Sequence, residues 1–372
     1  MTLPTPNPAH PSAHFWRGKK VLLTGHTGFK GSWLALWLLE LGADLVGLAL
    51  PPEPGLNLFE QLGLANRLDH HIGDIRDGAL VRRVVAEGQP ELVLHLAAQP
   101  LVRRSYAEPL ATWETNVMGT LHVLEALRSQ AQPCTAVLIT TDKVYSNKEW
   151  LYGYRESDPL GGHDPYSSSK AAAELAIASW RASFCGSGAH QTPHLRLASA
   201  RAGNVIGGGD WAADRIVPDA MRALAAGEPI GVRNPGATRP WQHVLEPLGA
   251  YLLLAERLCN AAEPAEVGTL ASPFNFGPQL EANRSVRELV EEALRHWPGR
   301  WDDRSDPSSP HEAGLLNLVI DKAHHQLGWA PRWPFATTVE RTVNWYRRVE
   351  QGDQTPIACC LGDLEAYQAA GA

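Results

Sequence analysis

The chain has 372 residues, with 33 Lys and Arg against 40 Asp and Glu for a formal charge of −7, and 44% of its residues are hydrophobic. That composition excludes a disordered or fibrous chain, and the acidic balance argues against a nucleic-acid or anionic-membrane partner. The length suits about two domains, or one large α/β unit with an appended lobe. Residues 1–16 carry Pro4, Pro6, Pro8 and Pro11 but neither the basic nor the apolar region of a signal peptide, so they read as a flexible tail. No uncharged apolar run is long enough to span a bilayer. Five cysteines (Cys134, Cys185, Cys259, Cys359 and Cys360) form no C-x-x-C pair and read as reduced thiols, which points to the cytoplasm.

From Lys19 onward, short apolar runs alternate with helical patterns. Val21 to Leu23 reads as a strand, Gly31 to Leu41 as a helix and Leu45 to Leu50 as a second strand. A weak third strand ends near Asp74 and Ile75. A helix at Ala79 to Glu87 follows, then a strand at Glu91 to Leu96, a long helix from about Trp113 to Ser129, and a buried strand at Ala136 to Ile139. Such alternation predicts βαβ units and a doubly wound parallel α/β sheet. After about residue 200, Gly207 to Gly209, Pro229, Pro235 and Pro240 break the chain into shorter pieces. The expected division is a dinucleotide-binding domain over 17–200, to which some later segments return, and a smaller mixed α/β substrate-binding domain over 201–372. Thr338 to Val349 has helical spacing, and most of the 13 tryptophans, including Trp33, Trp37 and Trp345, read as packing.

The first chemical motif is Thr24-Gly25-His26-Thr27-Gly28-Phe29-Lys30-Gly31, between a strand and a helix. Gly25 permits a tight turn, Gly28 a close approach of backbone to a pyrophosphate, and Gly31 close packing of helix on strand; free N–H groups at the helix start hold the anion. The acid that usually follows the second strand to bind ribose is missing from Leu50-Pro51-Pro52 or displaced to Glu53, which leaves NAD against NADP open. Asp74 and Ile75 are placed to clamp an adenine edge, or Asp74 caps the next helix. The second motif is Tyr166-Ser167-Ser168-Ser169-Lys170, with Asp164 as N-cap and Pro165 at the first helical position. Its i, i+4 spacing sets a phenol and an ammonium on one helix face, where the ammonium favours phenolate.

Together with Ala97-Ala98-Gln99, Asn116 and Thr141, these motifs make everything from Arg17 onward resemble the extended short-chain dehydrogenase/reductase family of NAD-dependent epimerases and dehydratases, a Rossmann fold. The tripeptide Thr141-Asp142-Lys143 is similar to that of nucleotide-sugar 4,6-dehydratases, with lysine in third place as in the cytidine type. The resemblance implies NAD as cofactor, CDP-glucose as the small-molecule partner, and a homodimer or dimer of dimers formed through Trp113 to Ser129 and Ala171 to Phe184. It also implies that Tyr166 accepts the 4-hydroxyl proton, Thr141 hydrogen-bonds the same oxygen, and Lys170 orients the ribose. Asp142 then protonates the departing 6-hydroxyl, and Lys143 is a base at C5, polarises the C4 oxygen, or holds Asp142. Gln99, Arg104, Asn204, Arg215, Arg233, Arg239, Gln242 and His243 are the implied substrate contacts. The alternatives are a nucleotide-sugar 4-epimerase, a dehydratase for another base, and a non-catalytic dinucleotide sensor. The 15 histidines form no cluster with metal-ligand spacing, so no metal site is expected.

Overall fold

The computed structural model describes residues 9–370 apart from 187, 189–190 and 306–314. Six strands are laid down in turn: β1 (Lys20–Thr24), β2 (Asp44–Ala49), β3 (Asp69–Ile72), β4 (Leu92–His95), β5 (Cys134–Ile139) and β6 (Leu195–Ala202). The short strands β7 (Val205–Ile206), β8 (Ile230–Val232), β9 (Thr238–Pro240) and β10 (Gln242–His243) follow. Then come β11 (Pro273–Phe276), β12 (Asn283–Ser285) and β13 (Trp301–Asp303). Seven of these form one parallel sheet in the order β11-β6-β5-β4-β1-β2-β3, while β10-β7, β12-β9 and β13-β8 are separate two-stranded pairs. Residues beyond 201 thus send β11 back to the main sheet, where Phe276 pairs with Ala202.

Central strands β4 and β5 are buried along their whole length, as parallel strands covered on both faces must be. β3 (Asp-His-His-Ile) is an edge strand with no fully buried residue, which explains its weak sequence signal. The chain runs outward from β1 through β2 to β3, returns to β4, and runs outward again, so the order reverses between β1 and β4. A crevice opens there at the carboxyl ends of the strands, where doubly wound folds bind ligands.

Two local readings change. The long helix begins earlier, at Pro109, and carries a π-helical stretch at Glu114–Gly119 before continuing as Thr120–Arg128. The amino-terminal stretch is not wholly a free tail. Residues 1–8 lie outside the described residues, but Ala13–Trp16 is helical, Trp16 is buried, the Ser12 amide donates to Glu256, and Ala9 exchanges hydrogen bonds with Gly328 and Arg332. Trp33, Trp37 and Trp345 are fully buried in the core.

Glu246, on the helix Leu245–Asn260, ties the C-terminal region down. Its carboxylate accepts from the Arg332 and Trp333 amides at 2.9 and 2.8 Å and from the Tyr367 hydroxyl at 2.8 Å. Burial nevertheless outweighs these bonds and pushes the Glu246 carboxyl up to about 7. A carboxyl whose folded pKa is raised holds a proton that the unfolded chain has lost, so stability falls as pH rises between the ordinary glutamate value and about 7. Thermal melts across pH 4.5 to 8 test this. Glu246→Gln, which keeps an acceptor for both amides, should gain on the wild type by about 2–3 kcal/mol toward pH 8. A constant difference across the range contradicts the assignment.

Candidate active site

The crevice is built first from glycine. Gly25 turns the chain at φ +76°, and its Cα lies so close to the end of β4 that a Cβ would sit 2.8 Å from the Ala97 amide nitrogen. A Cβ at Gly31 would lie 2.0 Å from the Gly25 carbonyl oxygen. The helix Phe29–Glu40 therefore starts directly beneath the turn. Gly28 is its N-cap and offers no side-chain acceptor, so the first amides are left for an anion. Thr27 donates its hydroxyl to the Leu50 carbonyl and ties the turn to the end of β2. This cradle fits a dinucleotide pyrophosphate.

The neighbouring predicted contacts divide. Ile75 is buried and packs where a Cβ on Gly119 would stand, 2.5 Å from its Cδ1. The Asp74 carboxylate is held by its own loop: it accepts from the Arg76 amide and from the Arg76 guanidinium at 2.6 Å. Asp77, not Asp74, caps the next helix. Ala97 donates its amide to Thr24 Oγ1, which fixes the Ala97-Ala98 segment over β1. Gln99 is corrected as a substrate contact, because its amide is committed inward, donating to Leu101 O and Thr112 and accepting from the Leu101 amide. Asn116 sits fully buried in the π stretch, accepts from the Gln99 amide, and donates to Gln99 O and Ser169 Oγ. It thereby joins the dinucleotide loop to the Tyr166 helix, the kind of task for which π-bulges are kept at functional sites.

The helix Pro165–Phe184 starts as expected, with Asp164 accepting from the Ser167 amide and Pro165 in the first turn. Tyr166 and Lys170 emerge on its buried face. Opposite, at the end of β5, Thr141 donates to Asp142 Oδ1 at 3.0 Å and accepts from the Lys143 amide. Thr141 also lies near enough to the Tyr166 phenol to pull its titration down. The other Asp142 oxygen, Oδ2, lies 2.8 Å from where a Cβ on Gly203 would stand, so a larger residue there would push the carboxyl aside. Thr141, Asp142 and Tyr166 thus form one buried cluster, and Lys143 stands half-buried beside it.

Lys170 is anchored to the strand beneath it: its ammonium donates to the Ile139 carbonyl at 3.1 Å, and burial, opposed by Glu174 and aided by Lys30, lowers it to about 8. Burial pushes Tyr166 up to about 12, with the Asp142 charge adding to it and Thr141 and the Arg215 charge pulling down. Within the chain, Thr141 and Arg215 favour phenolate. Lys30, in the glycine turn, is lowered to about 8 by burial and by Arg215, against the pull of Asp142.

Of the basic residues predicted for substrate, Arg215 pairs with Asp210 at 2.8 Å, and Arg233 bonds Asp214 at 2.7 Å. Arg239 donates to Thr238 O on β9. Asn204 follows Gly203 and is partly exposed. Arg104 is exposed and paired with Glu108 on its own helix, while Arg103 reaches Asp214. Gln242 is buried, with neither amide atom partnered among the described residues, an arrangement that favours a polar ligand. His243 is a core residue. Its ring is fully buried between Trp33 and Trp333, with centroids 5.9 and 4.8 Å away, and burial lowers it to about 3. Gly203, Arg103 and Asp210 were not predicted, since nothing local distinguishes them. Among the described residues, no three His, Cys, Asp or Glu side chains gather as a metal site.

The family model described as GDP-mannose 4,6 dehydratase matches residues 22–342. The chain belongs to this family. It is 45% identical to a CDP-glucose 4,6-dehydratase from Salmonella typhimurium, over 96% of this chain and 98% of that protein. To a dTDP-glucose 4,6-dehydratase from Xanthomonas campestris pv. campestris it is 29% identical, over 87% and 92%. Its fold is similar to that of a dTDP-glucose 4,6-dehydratase from Bacillus anthracis solved with NAD, at a TM-score of 0.73, 21% identity, and coverage of 89% of this chain and 97% of that one. A UDP-glucose 4-epimerase from Thermotoga maritima, solved with UDP-glucose, aligns with a TM-score of 0.75 at 20% identity, covering 88% of this chain and 99% of that one. The fold is thus common to dehydratases and epimerases, and the side chains at the crevice carry the distinction.

Proposed function

We propose that this chain is an NAD-dependent CDP-glucose 4,6-dehydratase, a hydro-lyase that converts CDP-glucose to CDP-4-dehydro-6-deoxyglucose and water. The observation that carries the reading is the buried Asp142 carboxyl, hydrogen-bonded to Thr141 beside the Tyr166 phenol. A 4-epimerase needs the phenol but has no leaving hydroxyl to protonate, so an acid held in that cluster favours dehydration. The 45% identity to a CDP-glucose 4,6-dehydratase supports the choice of base. A sensor that had lost catalysis would be free to shed Tyr166, Lys170 or Asp142, and all three are present.

Gly25, Thr27, Gly28, Phe29, Lys30 and Gly31 would hold the dinucleotide, with Asp74, Ile75, Ala97, Ala98 and Asn116 as further contacts. Bound NAD would supply the hydride acceptor for C4 and the hydride that returns at C6. Tyr166 takes the proton of the 4-hydroxyl, helped by Thr141 on the same oxygen. The C4 ketone acidifies C5–H, and Asp142, in its protonated form, donates to the departing 6-hydroxyl. Lys143, flanking Asp142, accepts the C5 proton as a neutral amine, polarises the C4 oxygen, or holds Asp142. Lys170 orients the ribose. Beyond residue 201, Asn204, Arg215, Arg233, Arg239 and Gln242 hold the nucleoside diphosphate, where guanidinium groups match phosphate geometry. No helix among the described residues is long and apolar enough to cross a membrane, and we place the enzyme in the cytoplasm.

Incubating the purified protein with CDP-glucose should give the alkali-induced absorbance of a 4-keto-6-deoxy sugar, with UDP-glucose, GDP-mannose and dTDP-glucose at least about tenfold slower. Turnover of another nucleotide sugar alone overturns the base assignment. We also infer pairing of two copies through the helical run Pro109–Arg128 and the Tyr166 helix, where Leu110, Trp113, Met118 and Leu175 are all exposed. Sedimentation should show Leu175→Glu as a monomer and the wild type as a dimer or larger. A wild-type monomer contradicts the pairing.

A further inference from the structure

Lys170 and Tyr166 share their helix with a third ionisable residue, one turn further on. Glu174 is a carboxylate with a side chain only 3% exposed, and it accepts from Thr140 Oγ1 at 2.6 Å, Ser199 Oγ at 2.8 Å and Arg201 at 2.9 Å. Those donors stand at the end of β5, immediately before Thr141 and Asp142, and on β6, immediately before Gly203. Arg201, equally buried, donates onward to the Tyr145 hydroxyl at 2.9 Å and to the Glu156 carbonyl. Tyr145 donates in turn to Asn275 on β11 at 2.6 Å. One ion pair therefore reaches all three structural pieces of the catalytic cluster: the phenol helix, the Thr141-Asp142 turn and the Gly203 segment that the Asp142 carboxyl abuts.

We propose that Glu174 is a positioning residue for the reaction, holding the Thr141-Asp142 turn against Tyr166 through Thr140 and Arg201. The inference rests on the functional reading above. A buried ion pair is weak evidence for stability alone, since apolar residues of like volume often serve as well. What this pair supplies is a fixed distance between groups that must meet the same sugar oxygen, and misplacement by about 1 Å can lower a rate 100-fold. It also supplies charge. Burial alone would raise the Glu174 carboxyl, but Arg201 and the hydroxyl donors hold it below the usual glutamate range, so it is an anion. Its field opposes the burial that lowers Lys170. The other groups facing Lys170 are Lys30 from the glycine-turn helix, which lowers it further, and His95 on β4, which burial lowers to about 3 and keeps neutral. Glu174 in turn faces Arg201 on β6 and Arg181 on its own helix.

Removing the anion must therefore favour neutral Lys170 and move its titration to lower pH. In Glu174→Gln the alkaline limb of the kcat profile on CDP-glucose should shift down by about one pH unit, with kcat lowered about 10- to 100-fold and KM changed less than about twofold. Because Arg201 is left unpaired there, Glu174→Gln/Arg201→Met is the companion variant; it removes both charges, should keep the fold by thermal melt, and should show a smaller limb shift in the same direction, since the cation leaves with the anion. Calorimetric NAD affinity against pH, which needs no turnover, should move in parallel because Lys170 binds the ribose. A shifted affinity profile without turnover of CDP-glucose by the wild type leaves the role of Glu174 standing and removes the substrate assignment. Turnover with both profiles unmoved in both variants overturns the role of Glu174.

Discussion

Burial of polar groups at the carboxyl end of β5 is the constraint on which the rest of the site depends. Thr141, Asp142, Tyr166, Lys170 and Glu174 are all buried. Each must find a partner inside the protein, since an unpaired buried polar group costs about 1–3 kcal/mol or more. The partners they find are one another and the strands beneath. Thr141 serves both Asp142 and Tyr166, Lys170 is held by the Ile139 carbonyl, and Glu174 gathers Thr140, Ser199 and Arg201. The geometry that satisfies burial is also the geometry that sets an acid, a phenol and a hydroxyl around one small volume.

The same burial sets the protonation states. A phenol pushed up to about 12 and an ammonium lowered to about 8 are displaced from their ordinary values in the directions that desolvation requires. The chain brings Tyr166 only part of the way to a base: Thr141 and Arg215 favour the phenolate, while Asp142 opposes it. The positive charge of an oxidised nicotinamide acts in the remaining direction, which links proton removal at the 4-hydroxyl to a loaded dinucleotide cradle.

Much of this was legible in the sequence, for local reasons. Apolar runs such as Ala136 to Ile139 announce buried parallel strands, and the cap at Asp164-Pro165 fixes the phase that places Tyr166 and Lys170 on one helix face. The glycine turn is legible because Gly25 and Gly31 stand where no Cβ fits. The illegible parts depend on contacts distant in the chain. Glu174 reads as a solvated helix residue until β5 and β6 are laid beside it, and Gly203 matters only once the Asp142 carboxyl lies against it. His243 sits in a segment that resembles a ligand site, yet Trp33 and Trp333 enclose it, and the helix phase sends Arg103 rather than Arg104 toward Asp214. The π stretch around Asn116 has no local signature.

One buried cluster serves three steps in this reading: oxidation of C4 by bound NAD, loss of water across C5 and C6, and return of the same hydride. The most direct measurement uses CDP-glucose carrying deuterium at C4 and follows the label by mass spectrometry and NMR. The expected product is a 4-keto-6-deoxy sugar with the deuterium at C6 and no accumulation of reduced dinucleotide. Deuterium retained at C4 in an epimerised sugar, or left on the dinucleotide with net reduction of NAD, would contradict that reading.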